Sequence, residues 1–180
     1  MKVLRLRRMG DPILRASART LTPEDICSDD IQELIQNIRY TNAQKQYGVG
    51  LAAPQVGSNV RLSVIGIKPT PTRPELEPFD CVIINPSYQG IGYRTPLWEG
   101  CQSSGAGDNT LYALVPRYRQ IEAVWHDEHG VLHHETLGGF VAHVFQHEAD
   151  HLDGMLFVDK VHDTKSYMLA REYRKHILKG

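Results

Sequence analysis

"HVFQHEADHLDG", His143–Gly154, holds three histidines spaced four residues apart, with Glu148 and Asp150 between the last two. Phe140, Val141, Val144, Phe145 and Leu152 recur around it at helical spacing, and Gly154 stands where a helix stops. His147 and His151 therefore lie one turn apart on one face, close enough to share a small ion, with Glu148 beside them. This H-E-x-x-H pattern is a zinc-binding arrangement in which the glutamate acts on water at the metal. Three polar residues on the outside of an amphipathic helix are the bland alternative. His143 continues the stripe, but eight helical residues rise about 12 Å while metal–nitrogen bonds are about 2 Å. His143 and His151 cannot serve one ion, so His143 reads as a rim residue or a packed histidine.

A catalytic site needs a third protein ligand and an open position. The metzincin pattern fails downstream: Gly154 fits, but position 157 is Phe, leaving Asp159 and His162 as weak candidates. Upstream, Cys101 stands in "WEGCQSSG", a polar, glycine-containing stretch where a thiolate can be approached closely. Cys27 and Cys81 read instead as buried packing cysteines.

Outward from that helix, Thr22-Pro23-Glu24-Asp25 and Ser28-Asp29-Asp30 are helix starts. Ile31, Leu34, Ile35 and Ile38 predict a helix running to about Tyr47 and stopping at Gly48. "RLSVIGI" (61–67) and "CVIINP" (81–86) read as strands, the second closed by Pro86, with an exposed proline-rich loop, 68–80, between them. "RQIEAVWH" and "VLHHETL" flank "DEHG", a hairpin turning at Gly130. "TKSYMLAREYRKHILKG" reads as a final helix bearing Lys165, Arg171, Arg174, Lys175 and Lys179. Strands in the middle and helices at both ends make an α+β fold: small antiparallel or mixed sheets around a central helix carrying the HExxH motif, with a C-terminal helix.

The chain has 180 residues, 41% hydrophobic and 23% charged, which suits one domain, 1–180, with one core. Twenty basic and 21 acidic residues leave a net charge of -1, so no global field draws the chain to nucleic acid or membrane. Three widely spaced cysteines argue against a disulfide framework and for a reducing, intracellular setting. The basic start "MKVLRLRRMGDPILR" lacks the apolar run of a secretion signal, and no stretch reaches the length of a membrane span. "GVGLAAPQ" (48–55) fits a dinucleotide fingerprint on letters alone, but a helix precedes it and Pro54 hinders one after it. Its glycines permit close approach of a ligand's backbone. Gln55 offers either an exposed turn residue or an amide donor for a developing oxyanion.

GVGLAAPQ, EGCQS and QHEADH stand in this order, and together they resemble the peptide deformylase family, whose members remove the N-formyl group from new polypeptides. "MGDPILR" and "LDGMLFVDK" extend the resemblance over nearly the whole chain. It implies that Cys101, His147 and His151 bind one divalent metal ion per chain, iron(II) in the cell, with zinc, nickel or cobalt accepted. It implies Glu148 as general base and then acid, and Gln55 with the Gln102 backbone N–H as oxyanion donors. Gly48, Val49, Gly50, Glu99 and Gly100 would lie beside the substrate, and Val49, Phe140, His143 and Val144 would line the methionine pocket. The implied substrates are formylated nascent peptides in the cytoplasm. Related bacterial enzymes suggest ribosome docking through Arg171, Arg174 and Lys175, against a plain solvated helix face. No membrane or sequence-specific nucleic-acid role is expected. Two imidazoles and a thiolate leave the metal's identity open on chemical grounds.

Two departures from the family pattern stand out. Gln102 occupies a position usually aliphatic, and "SSGAGDNTLYALVPR" is longer than the usual link to "VPR". His143 makes the pocket more polar than usual and predicts weaker methionine preference. The rival readings are a metalloprotease with a downstream third ligand and an inactive relative that binds N-termini or a partner.

Overall fold

The computed structural model describes residues 1–44, 48–70 and 74–178. Thr22 caps a one-turn helix, α1 (Pro23–Ile26), and Ser28 caps α2 (Asp29–Ala43), its side chain accepting from the Ile31 N–H. Both starts fall where the sequence puts them. The α2 helix ends earlier than expected, at Ala43 with Gln44 as its cap; Tyr47 lies outside the described residues.

Strands β1 (Gly50–Ala52), β2 (Leu62–Ile67), β3 (Phe79–Gly100), β4 (Leu111–His126) and β5 (Leu132–Gly138) follow in sequence and pair antiparallel with their neighbours in that order. The central helix α3 (Gly139–Leu152) comes next, then β6 (Met168–Leu169), which pairs with β4, and α4 (Ala170–His176). The strands thus join in one six-stranded network rather than several small sheets. β3 does not stop at Pro86 but runs 14 residues further. Proline is tolerated there because the ladder breaks register between Ile84 and Ser87, where Asn85 takes a positive φ of 51°. The expected final helix is only α4: Lys165 lies in a 3-10 turn, Met168–Leu169 are strand, and Lys179 is outside the described residues.

The sheet is buried on both faces, which explains the unbroken apolar run in β2. Leu62, Val64, Val82 and Ile84 pack with Ile31, Ile35 and Ile38 of α2. Their alternates Ile65, Ile67 and Ile83 pack with Ala142, Val144 and Phe145 of α3. The α3 helix ends at Leu152 with Asp153 as its cap, and the chain turns away at Gly154, whose φ is +71° and whose missing Cβ leaves room for the Arg15 carbonyl. Among the described residues, no helix is long and apolar enough to cross a membrane.

Candidate metal centre and substrate cleft

The α3 helix carries His147 and His151 one turn apart, with ring centroids 5.0 Å from each other. Cys101 follows directly on the end of β3, which brings its Sγ to 3.3 Å from His151 Nε2. Cys101, His147 and His151 each offer a donor atom, all within 4.8 Å of one another. His143 does not join them: its Nε2 binds Glu99 Oε1 at 2.9 Å. Asp159 is bound to Arg15 and to the Leu156 N–H, and it too stands outside the cluster, as does His162.

The donor set fits one divalent ion on grounds internal to the chain. His147 Nδ1 bonds Glu99 Oε2 at 2.8 Å, which fixes the ring and leaves Nε2 for a ligand role. Burial opposes a Cys101 thiolate, but His151 and His147 outweigh it and hold the thiol well below its ordinary pKa. Burial likewise works against a charged His147, yet the bonds to Cys101 and Glu99 push its pKa well above the usual value. A soft anionic sulfur and two imidazoles drawn together in a buried space are a ligand set of the transition-metal type.

Glu148 is 3% exposed, and its Oε2 has no hydrogen-bond partner among the described residues. Burial pushes its pKa up to about 7. The carboxylate lies directly against Gly50 of β1, where any Cβ would collide with it. That close approach is the reason for glycine at this position. Gln55 is 2% exposed, so it is not an exposed turn residue. Its Oε1 accepts from the Ala52 N–H at 2.8 Å, which turns the amide nitrogen toward Cys101 Sγ (3.4 Å) and Ser103 Oγ (3.2 Å). Gln102 opens the 3-10 turn Gln102–Ser104, so its backbone N–H has no partner within that turn.

Val49, Gly50, Glu99, Gly100, Phe140, His143 and Val144 all border the cleft that contains Cys101, His147 and Glu148. Gly48 does not; it sits behind the wall, where a Cβ would crowd the Asn42 side chain and lie 2.9 Å from Gln102 Nε2. Glu99 borders the cleft with both oxygens engaged, by His143, His147 and Arg117. Cys101 is buried as a ligand candidate should be, but Cys27 is exposed, contrary to expectation. It lies in the short turn between α1 and α2, where no element covers it. Cys81 is half-buried against the α3 side of the sheet.

Sequence reasoning missed the support behind the histidines. Arg117, 1% exposed, donates from Nε (2.6 Å) and Nη2 (3.0 Å) to Glu99 and from Nη1 (2.6 Å) to Asp150. Lys160 Nζ completes the chain at Asp150 Oδ1, 2.6 Å away. The signal was present: Ala113, Val115 and Arg117 alternate along β4 on its buried face, and an arginine in an apolar row demands buried partners.

The comparisons with known proteins agree with this geometry. The model of the polypeptide deformylase family matches residues 3–167. The chain belongs to the polypeptide deformylase family. It is 38% identical to peptide deformylase 2 of Nostoc sp., over 99% of this chain and 97% of that one. A class I type b peptide deformylase of Acinetobacter baumannii bound to Met-Ala-Ser superposes with a TM-score of 0.81 at 27% identity, covering 89% of this chain and 99% of that one. A deformylase of Synechococcus elongatus in complex with actinonin gives 0.76 at 35% identity, covering 91% of this chain and 81% of that one.

Proposed function

We propose that Glu148, Gln55 and the Gln102 backbone N–H carry out, beside an ion held by Cys101, His147 and His151, the hydrolytic removal of N-formyl groups that defines this family. A divalent ion in that donor set would supply Lewis acidity, making water acidic enough to attack at neutral pH. Glu148 takes the proton released as water adds to the formyl carbon, and returns it to the amine nitrogen as the C–N bond breaks. Formate and a free N-terminus are the products. The Gln55 amide and the Gln102 N–H donate to the oxygen that gains charge in the transition state. The β1 edge at Gly50 pairs with the substrate main chain, and Val49, Phe140, His143 and Val144 surround the methionine side chain.

The observation that carries this reading is a buried Glu148 whose Oε2 has no hydrogen-bond partner among the described residues, in the cleft beside the cluster of Cys101, His147 and His151. The test is formate release from a formyl-Met tripeptide by protein purified without oxygen, with metal counted in the same sample. We expect about one metal per chain and release that is lost in Glu148→Ala while the metal stays. Full metal occupancy without release would overturn the assignment. Under the rival metalloprotease reading, Cys101→Ala would keep its metal.

We further propose iron(II) as the cellular ion, as the resemblance to the family implies; the thiolate and two imidazoles by themselves also suit zinc, nickel or cobalt. Substrates are then formylated chains emerging from cytoplasmic ribosomes. Docking there would use the exposed Arg171 and Lys175 of α4. Arg174 is the weakest member of that trio, because it pairs with Asp108 at the cleft. Unaltered ribosome co-sedimentation at low salt after changing all three to Glu would refute docking.

A further inference from the structure

The N-terminal segment does not border the cleft, yet it reaches the main chain of both groups assigned to the developing oxyanion. The Arg7 N–H donates to the Gln55 carbonyl at 2.7 Å, and the Met9 N–H to the Ser103 carbonyl at 2.9 Å. Between them, Arg8 Nη1 donates to the Gln102 and Gly105 carbonyls. Arg8 is exposed and makes no ion pair among the described residues, so these two carbonyls are what its guanidinium holds. The bonds of Arg7 and Met9 come from the main chain, and most residues could supply them. Those of Arg8 need a side-chain donor of that reach.

The turn beyond Cys101 is fixed from its inner side as well. The Cys101 carbonyl accepts from the Ser104 N–H at 3.0 Å and from Ser104 Oγ at 2.7 Å. Ser104 Oγ in turn accepts from the Leu111 N–H at 3.2 Å, which ties it to the start of β4. A peptide unit is planar, so holding the Cys101 carbonyl also sets the direction of the Gln102 N–H. Arg8 holds the next plane, through the Gln102 carbonyl. Both planes that flank Gln102 are therefore held, one by Ser104 and one by Arg8. The same N-terminal segment grips the Gln55 main chain, and Gln55 Nε2 meets Ser103 Oγ at 3.2 Å, so the spacing of the two donors is set from one strap.

We infer that Arg8 is a positioning residue for the deformylation step: from outside the cleft, its guanidinium clamps the Gln102–Gly105 turn and so aims the Gln102 N–H at the oxygen that gains charge. The inference rests on the deformylase reading. Arg8 touches neither substrate nor metal. Its effect passes through the geometry of a backbone donor, and such donors count most where charge develops, in the transition state.

The test compares the full, metal-loaded wild-type chain with Arg8→Ala and Arg8→Lys for formate release from formyl-Met-Ala-Ser. Removing a whole oxyanion donor costs about 100–1,000-fold. Met9 and Ser104 still hold the turn in Arg8→Ala, so kcat should fall about tenfold, with KM within about twofold of wild type. Metal content should not change, nor should inhibition by the product Met-Ala-Ser, which has no formyl oxygen; a merely structural role would weaken one or both. Arg8→Lys keeps a cationic donor of similar reach and should retain about half of kcat. Because Arg8 is exposed, millimolar guanidinium should raise kcat of Arg8→Ala about threefold. Unchanged kcat in Arg8→Ala overturns this inference alone. So does a loss that comes with lost metal or weaker product inhibition, or one that neither Arg8→Lys nor guanidinium relieves. No formate from the wild-type chain overturns the deformylase reading, and this inference falls with it.

Discussion

Arg117→Met tests whether the buried charge chain holds both the fold and the metal site. The guanidinium makes bonds of 2.6 and 3.0 Å to Glu99 and 2.6 Å to Asp150, and all three side chains are almost wholly buried. Methionine fills much of the volume, so the loss is one of charge and hydrogen bonding rather than a cavity. Breaking a buried pair from one side costs about 3–5 kcal/mol, because the remaining charge stays buried. Here Glu99 keeps His143 and His147, and Asp150 keeps Lys160, which puts the cost near the lower figure. For a chain of this size, about 3 kcal/mol lowers Tm by roughly 6–12 °C. Because Glu99 fixes the His147 ring, metal affinity should also fall, about 10–100-fold. Thermal unfolding by circular dichroism, and a chelator competition on the same variant, measure the two effects. The double variant Arg117→Met/Glu99→Gln should recover part of the Tm, since it removes the stranded charge. A Tm within about 2 °C of wild type, or lowered stability with unchanged metal affinity, would refute the coupling.

Three further outcomes follow from the geometry. Gly50→Ala must displace the Glu148 carboxylate, so kcat/KM should fall about 100-fold while metal analysis stays unchanged; retained activity would break the assignment of Glu148. His143→Leu makes the pocket apolar and should raise the preference for formyl-Met over formyl-Ala peptides about fivefold; an unchanged ratio in a peptide panel would remove His143 from the pocket. Cys27 is exposed and should alkylate readily in native protein at pH 8. Cys81, whose thiol burial pushes up to about 12, should stay unlabelled there, with about one part in ten thousand as thiolate. Peptide mass mapping after iodoacetamide reads both, and equal labelling would contradict the burial of Cys81.

What could be read from the chain was local. The caps at Thr22 and Ser28, the hairpin at Gly130 and the central helix rest on short-range chemistry and appear where the spacing puts them. What could not be read depends on partners far away in sequence. Met168 and Leu169 leave a helical pattern because they pair with β4 at Tyr112 and Leu111, some 57 residues upstream. β3 passes through Pro86 because a register break, set by β4, removes the need for that N–H. The three candidate ligands were legible from i, i+4 spacing and from Cys101 standing apart from the other two cysteines. The Glu99–Arg117–Asp150–Lys160 chain was not, because its members come from four segments, and only the row of inward positions on β4 hinted at it.

The central helix poses a problem that its own contents resolve. A helix buried nearly all round should be apolar, yet α3 encloses His143, Gln146, Glu148, Asp150 and His151. Each polar group must find a partner or destabilise the fold by its lost hydration. Gln146 does so by accepting from the Tyr118 N–H at 3.1 Å and donating to its carbonyl at 2.8 Å, as a neighbouring strand would. Asp150 has Arg117 and Lys160, and His143 and His147 share Glu99. Among the described residues, two groups on this helix stand outside the accounting: Glu148 Oε2 and His151 Nδ1. Both belong to the H-E-x-x-H motif, and both lie within a fold that satisfies their neighbours on the same helix. A carboxylate held in that state gains nothing for stability. It does keep an acceptor dehydrated and raised in basicity, which is what the general base proposed above requires.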